Sequence, residues 1–250
     1  MSSASSYELR SVVHLVRPTG ARARTLGELR TCIREAPPHS LFFHTRHTQL
    51  RNPAIEDSAL DDFSAWVNGV VQDRETAERL SFAVESRSEN PEALREGLLD
   101  ALSRLSETTQ ESRGAPAEGE FVFLTIESVP LTTGTVVRSG RELVHALHGA
   151  DASVWFYHLI EQPWFPDGPL VFDWLLAQGE DRLEHWLRED ASSNQPIEVM
   201  RRRLLQRWRR SRLGRRISEA ATAPEDTRRE AGRATVARFV RRITQNEPPR

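Results

Sequence analysis

Two pairs of side chains that can ligate a metal or transfer protons occur at matching places in two similar stretches of the chain. His44 and His47 form the first pair, and His158 and Glu161 form the second. The three-residue spacing within each pair places both side chains on one face of a helix, which is how helices present metal ligands. An interval of 114 residues separates His44 from His158, so the two pairs are candidates for one four-ligand site at a repeat interface.

The alternative interpretation of these histidines is structural. Both stand in aromatic segments, HSLFFHT and SVWFYHL, where a histidine commonly bonds to backbone or to a carboxylate such as Glu28 or Glu142. The chain has no cysteine-rich zinc set, no glycine-rich phosphate loop and no nucleophile motif, and it contains no lysine for Schiff-base chemistry. The pattern therefore favours core histidines, leaves the question of a metal open, and indicates no catalytic residue and no cofactor.

A second candidate site is the arginine-rich end of the chain. Residues 199–250 contain 16 Arg and 5 acidic residues, whereas the preceding residues contain 18 Arg and 31 acidic residues. Guanidinium groups crowded on a helix can bind the phosphates of nucleic acid or the carboxylates of an acidic protein surface, although many such charge runs are solvated faces. The candidate anion-binding residues are Arg201, Arg202, Arg203, Arg207, Arg209, Arg210, Arg212, Arg215 and Arg216.

The histidines belong to an internal repeat. TLGELRTCIREAPPHSLFFHT, which starts at Thr25, matches SGRELVHALHGADASVWFYHL, which starts at Ser139, at a constant interval of 114 residues. Each stretch opens with a Ser or Thr followed three residues later by Glu, which predicts a capped helix N-terminus. Two similar units in one chain present the same patch to each other, as in a symmetric dimer, so we expect a pseudo-two-fold axis.

Each unit is predicted to begin with a strand and to continue with about four helices. The strands are YELRSVVHLVRPTG and EFVFLTIESVPLTTG, each of which ends in a turn with glycine. We expect them to pair near Val12 and Ile126, because a lone strand cannot satisfy its backbone. The predicted fold class is α+β, mostly α, with two tandem homologous units related by a pseudo-two-fold axis and one further C-terminal helix.

Composition and linkers set the predicted boundaries and compartment. The predicted parts are a first repeat unit at 1–110, a linker at 111–120, a second repeat unit at 121–217, and an Arg-rich C-terminal helix and tail at 218–250. No apolar run approaches the roughly 20 residues of a membrane span, and no signal peptide is recognisable. The single Cys32 fits a reducing compartment, so we expect a cytoplasmic, bacterial-type protein without a membrane span.

Four segments of the first unit resemble a known bacterial family. Pro18-Thr19-Gly20, Leu26 to Leu29, Ser40 to Thr45 and Asp62 to Val67 together are similar to the family catalogued as domain of unknown function 5752. The second unit is similar in a looser way, with LTTG and VFDW at the corresponding places, and the Arg-rich end lies outside the pattern. The resemblance implies a duplicated helical architecture with small strands, and it implies no activity because none is assigned.

Three functional hypotheses follow from these features. The leading hypothesis is a non-catalytic interaction or regulatory module that acts on an unknown protein partner through the repeat interface or the basic C-terminal helices. The alternative is a nucleic-acid-binding protein that uses the Arg-rich helices. The third is a metal-dependent enzyme with a site between the repeats.

Overall fold

The described residues form a mostly helical α+β structure around a two-stranded sheet. The computed structural model describes residues 6–51, 61–86, 90–104, 107–193 and 195–222, with backbone alone at 107, 110 and 212–222. The chain divides into two compact units, residues 1–204 and residues 205–250. Of the Arg-rich C-terminal helix and tail predicted at 218–250, residues 223–250 lie outside the described residues.

The sheet is a long antiparallel ribbon. Strands β1 (Tyr7–Ala23) and β2 (Phe121–Val137) each have 17 residues and pair along almost their whole length. Near the middle, Val13 is opposite Val129 and His14 is opposite Ser128. The expected pairing of the two strands is therefore present.

The ribbon carries a register shift near each end. One shift lies between Leu9 and Arg10, and the other lies between Pro18 and Arg22. Gly134 stands opposite the first shift with φ of 72°, and Gly20 stands inside the second with φ of 90°. Residues with a Cβ rarely adopt such φ values, so each irregularity depends on glycine.

Among the described residues between the two strands there are seven helices, and a π-helical turn at Val67–Val71 continues the fourth. They are α1 (Leu26–Glu35), α2 (Pro38–Thr45), α3 (Thr48–Arg51), α4 (Asp62–Trp66), α5 (Arg74–Ser86), α6 (Pro91–Ser103) and α7 (Glu107–Ser112). Thr25 caps α1: its side chain accepts from the Glu28 N–H, and the Glu28 carboxylate accepts from the Thr25 N–H. The predicted capping box is therefore present and fixes where α1 begins.

After β2 the described part of the chain contains six further helices, and a π-helical turn at Tyr157–Glu161 separates the second from the third. They are α8 (Gly140–Gly149), α9 (Ala152–Phe156), α10 (Gln162–Trp164), α11 (Val171–Ala177), α12 (Asp181–Ser192) and α13 (Ile197–Thr222). Ser139 caps α8 by accepting from the Glu142 N–H at 3.3 Å, as its sequence predicts. None of the helices in the described ranges combines the length and the apolar character that crossing a membrane requires.

The core of the compact unit at residues 1–204 lies between these helices and one face of the ribbon. Helix α2 packs on β2, and α9 packs on β1. Val12 and Ile126 are buried on this inner face, and Phe42, Phe156 and Trp155 are buried in the helices that cover it. The aromatic segments that carry the histidines are therefore held against the middle of the ribbon.

Candidate functional site

His44 binds the edge of β2. The backbone N–H of Leu124 donates to its Nε2 at 2.9 Å, and its Nδ1 lies 2.9 Å from Oδ2 of Asp62. Because Nε2 accepts, the neutral ring carries its proton on Nδ1 and donates it to Asp62. Arg51 holds the same carboxylate through two contacts of 2.8 and 2.9 Å. Burial lowers the pKa of His44, and the neighbouring Asp62 opposes this shift.

His158 binds the edge of β1 in the same way. The backbone N–H of Arg10 donates to its Nε2 at 2.8 Å. Its Nδ1 lies 2.8 Å from the Tyr7 hydroxyl and 3.3 Å from Oε1 of Gln162, so neutral groups replace the carboxylate that His44 uses. Burial lowers the pKa of His158 to about 4, and the neutral ring is the form that accepts the strand N–H.

Three further side chains form a buried chain of contacts at the middle of the ribbon. Nε2 of His14 lies 2.7 Å from Oε2 of Glu161, and Nδ1 of His14 lies 3.1 Å from Nε2 of His47. Nδ1 of His47 is buried and has no hydrogen-bond partner among the described residues. Burial and the nearby His14 lower the pKa of His47 to about 3. The arrangement resembles a relay of two imidazoles and a carboxylate.

The four residues that the sequence pairs thus separate into different environments. His47 and Glu161 come together, but through His14, and the residue 114 positions after His14 is Ser128 rather than a histidine. Both ring nitrogens of His44 and of His158 are occupied by protein partners, and the two rings bind different strands. Within the part of the chain that the structure describes, no group of three or more His, Cys, Asp or Glu side chains is placed to hold a metal ion.

The face of the ribbon that turns away from the helices is apolar at its centre. The outward cluster consists of Val13 (50% exposed), Leu15 (58%), Val129 (40%) and Leu131 (45%). Val13 is opposite Val129, and the other two lie one pair further along in each direction on the same face. Monomeric proteins seldom leave a contiguous apolar patch of this kind in water, and such a patch commonly marks an interaction site.

Charged residues border the outward cluster. Leu15 is opposite Glu127, and Arg17 follows two residues along on the same face. Glu127 and Arg17 are both exposed, and neither forms an ion pair with another described residue. The face therefore offers aliphatic side chains at its centre and one charge of each sign beside them.

The predicted anion-binding arginines differ in how they are engaged. In the first unit, Nη1 of Arg201 donates to the His148 carbonyl at 3.1 Å and its guanidinium lies over the Trp155 ring, 5.6 Å from the centroid. Arg203 lies 3.9 Å from the buried Asp190, and Arg202 also has an interaction partner. These arginines contribute to the internal contacts of the first unit.

The remaining arginines belong to the second compact unit. Arg207 has an interaction partner, whereas Arg209 and Arg210 are exposed and make no polar contact with the described residues. Arg212, Arg215 and Arg216 lie within α13, and their side chains are outside the described part of the structure.

A two-stranded ribbon, edged by buried histidines and covered on one face by short helices, defines the structural class. The chain belongs to the Family of unknown function (DUF5752), which it matches over residues 4–207. It is also similar to the structure of OrfY from Thermoproteus tenax, at 24% identity and a TM-score of 0.68, over 82% of this chain and 96% of that one. This likeness concerns the fold. No curated protein matches the chain by sequence.

Proposed function

We propose that the chain is a non-catalytic interaction module that docks through the outward cluster of the ribbon, and that a second copy of the chain covers this face. The observation that carries the proposal is the exposed aliphatic centre formed by Val13, Leu15, Val129 and Leu131. Burying such a surface against an equal surface removes apolar area from water on both sides.

The module is built, in this proposal, from two tandem homologous units that pack about a pseudo-two-fold axis through the ribbon. Support comes from contacts that recur at the 114-residue interval. His44 accepts from residue 124 and His158 accepts from residue 10. The hydroxyl of Thr19 donates to the Phe123 carbonyl at 3.0 Å, and the hydroxyl of Thr133 donates to the Leu9 carbonyl at 2.7 Å.

The charges beside the outward cluster favour a second copy as the occupant. An isologous interface requires one patch to complement itself. A two-fold axis parallel to the strands lays β1 of one copy over β2 of the other, which brings Val13 against Val129 and Arg17 toward Glu127. Each copy then supplies a cation to the carboxylate of the other at the rim, where opposite charges set the register.

Sedimentation velocity over a wide concentration range tests this proposal. We expect reversible dimerisation of the wild-type chain and monomers for the doubly substituted Val13→Glu, Leu131→Glu variant, because both side chains are exposed and the fold tolerates their replacement. Phe82→Glu is the matched control: Phe82 is 68% exposed on α5, outside the ribbon, and its replacement leaves the dimer intact.

Reversing the charges of Arg17 and Glu127 distinguishes a dimer that forms through this face from one that forms through another apolar surface. Arg17→Glu and Glu127→Arg each weaken the dimer, and the two changes together restore it. A chain that stays monomeric at every concentration, or a Val13→Glu, Leu131→Glu variant that dimerises like the wild type, overturns the proposal.

A second candidate function is polyanion binding by the second unit. Its support is the exposure of Arg209 and Arg210, in a segment where arginines far outnumber acids. Fluorescence anisotropy with labelled DNA and RNA tests it: binding that weakens steeply with salt, and is lost in Arg209→Glu, Arg210→Glu, supports this function. Arg141→Glu, a reversal of an exposed arginine on α8, is the control, and the absence of binding at low salt rejects this candidate.

A further inference from the structure

The ribbon leaves one edge of each strand without a strand partner among the described residues. In an antiparallel pair, facing residues alternate between those that bond to each other through the backbone and those whose N–H and C=O groups point away. The Arg10 N–H donates to His158 instead of to β2, and Arg10 is opposite Thr132. The register is then regular as far as Pro18 opposite Leu124, so every second pair points outward. We call these positions the outward row of each strand: the even-numbered residues from 10 to 18 in β1 and from 124 to 132 in β2.

Both prolines of the ribbon occupy the outward rows. Pro18 is opposite Leu124, and Pro130 is opposite Val12. Proline has no N–H, so each one removes a donor from the free edge of its strand without removing a hydrogen bond from inside the ribbon. Pro18 and Pro130 are both exposed, so the missing donor lies where another strand could approach.

The 114-residue interval shows which other residues fit at the two proline positions. The residue 114 positions before Pro130 is Val16, and the residue 114 positions after Pro18 is Thr132. Val16 and Thr132 are exposed strand residues as well. Each strand therefore carries its proline at a place where the other strand has a residue with an N–H, and we expect the ribbon to accept an ordinary residue at both places.

Side chains from the helices close the other end of each outward row. Leu124 has both of its outward groups bonded: its N–H donates to His44, and its carbonyl accepts from the Ser40 hydroxyl at 2.7 Å. At the corresponding place in β1, the Arg10 N–H donates to His158 at 2.8 Å. Between the histidine and the proline, the outward row holds three residues on β1 and two on β2. Strand addition depends on main-chain hydrogen bonds along the edge, so such short rows offer little to a foreign strand.

We propose that Pro18 and Pro130 close the free edges of the ribbon to strands of other chains, so that its ladder does not extend from copy to copy. A free edge with a complete row of N–H and C=O groups is a template for pairing with other molecules and for aggregation. The closure of the edges concerns the ribbon alone. Its consequence, that two copies meet only through the outward cluster, rests on the proposed function.

Exchanging residues between the two strands tests the closure. Pro18→Thr and Pro130→Val give each position the residue found 114 positions away, and together they complete both outward rows. Sedimentation velocity of this double variant should show species larger than a dimer, in a share that grows with concentration, whereas the wild type forms none. Infrared spectra of the larger species should show the amide I band of intermolecular β-sheet, because the new contacts are main-chain hydrogen bonds between strands.

Two control variants show whether an edge proline is the cause. Pro166→Val replaces an exposed proline outside the ribbon and should sediment like the wild type. Adding Val16→Pro and Thr132→Pro to the double variant closes each edge again at a different place in its row, and it should abolish the larger species. Thermal unfolding checks that each variant is folded. If the double variant does not fold, Pro130→Val alone decides, since it opens the edge of β2 and should give the same infrared band.

A folded variant with an opened edge that sediments like the wild type overturns the inference. Larger species that persist after the prolines are moved to 16 and 132 also overturn it, because the assembly would then not depend on the edges. A wild-type chain that stays monomeric overturns the proposed dimer but leaves this test intact, since the opened edges are detected by species and by an infrared band that the wild type lacks.

Discussion

At one end of the ribbon the buried histidine donates to a carboxylate, and at the other end it meets neutral groups. His44 has Asp62 at its Nδ1, whereas His158 has the Tyr7 hydroxyl and Gln162. In both cases Nε2 accepts a strand N–H. The comparison teaches that both ends require an uncharged ring nitrogen that accepts a strand N–H. The partner of the other ring nitrogen, Nδ1, can differ.

The residues that stand 114 positions apart in the sequence explain part of the difference between the two histidine environments. Tyr7 corresponds to Phe121, which has no hydroxyl to offer to His44. Asp62 on α4 supplies the missing partner at that end, and Arg51 in turn offsets its charge. The two ends therefore respond differently to removal of the ring and to acid.

Replacing a histidine by leucine has the largest expected effect on the comparison. Each variant leaves a strand N–H without its acceptor and removes the buried ring contacts, so the free energy of unfolding falls by about 3 kcal/mol. His44→Leu also takes a partner from the largely buried Asp62, and we expect it to cost about 1 kcal/mol more than His158→Leu. Urea-induced unfolding followed by circular dichroism measures both.

The control for this pair is His145→Leu, a change at an exposed histidine on α8, which should alter stability by less than about 0.5 kcal/mol. A ribbon histidine that can be replaced at no cost would show that the strand edges do not depend on these rings. Equal losses at the two ends would show that the carboxylate is not what distinguishes them.

Much of the ribbon was predictable from local sequence, and so were the starts of helices α1 and α8, which follow its strands. The strands were expected from alternation, and the caps at Thr25 and Ser139 from the Glu three residues on. The prediction that each strand ends in a glycine turn was wrong: the strands continue to Ala23 and Val137, and Gly20 and Gly134 lie at register shifts within the ribbon. Helices α5 and α12 were not predicted from the sequence. The π-helical turns were also missed, because a single wider turn leaves the apolar spacing of a helix almost unchanged.

The site was predictable in part. His44 and His158 stand out because they recur at one interval in aromatic segments, and a core role for them was one of the two interpretations. His14 was not among the predicted site residues, because its counterpart 114 positions on is Ser128 rather than a histidine. Its contact with both His47 and Glu161 depends on the ribbon register and on how α2 and α9 pack, and neither of these is written in local spacing.

The next largest expected difference between the two ends of the ribbon is in how their histidines make stability depend on pH. The pKa of His158 falls from 6.5 in the unfolded chain to about 4 in the folded chain, so the unfolded chain binds more protons between these values. The contribution to stability is complete above pH 6.5 and is lost as the pH falls through this window, at up to about 1.4 kcal/mol per pH unit. Unfolding free energies measured from neutral pH down to pH 4 give this slope.

His158→Gln should remove that share of the slope, because glutamine keeps an acceptor and does not titrate. His44→Gln should remove less, since Asp62 opposes the fall in the pKa of His44. His47 contributes in the same direction in both variants and cancels from the comparison. An unchanged slope in His158→Gln would mean that its ring is already protonated where it meets the strand.

The smallest expected effect comes from making the His158 end more like the other one. Tyr7→Phe removes the hydroxyl that lies 2.8 Å from Nδ1 of His158 and leaves Gln162 Oε1, at 3.3 Å, as the acceptor. We expect a loss of about 1 kcal/mol in the free energy of unfolding, the net value of one buried hydrogen bond.

In the His158→Gln background, Tyr7→Phe should cost clearly less, because the partner of the hydroxyl is gone. The Tyr7 hydroxyl also lies within donating distance of Gln162 Oε1, at 3.2 Å. A double-mutant cycle from four unfolding curves measures the coupling between Tyr7 and His158, and a coupling of zero would assign the Tyr7 hydroxyl to Gln162 alone.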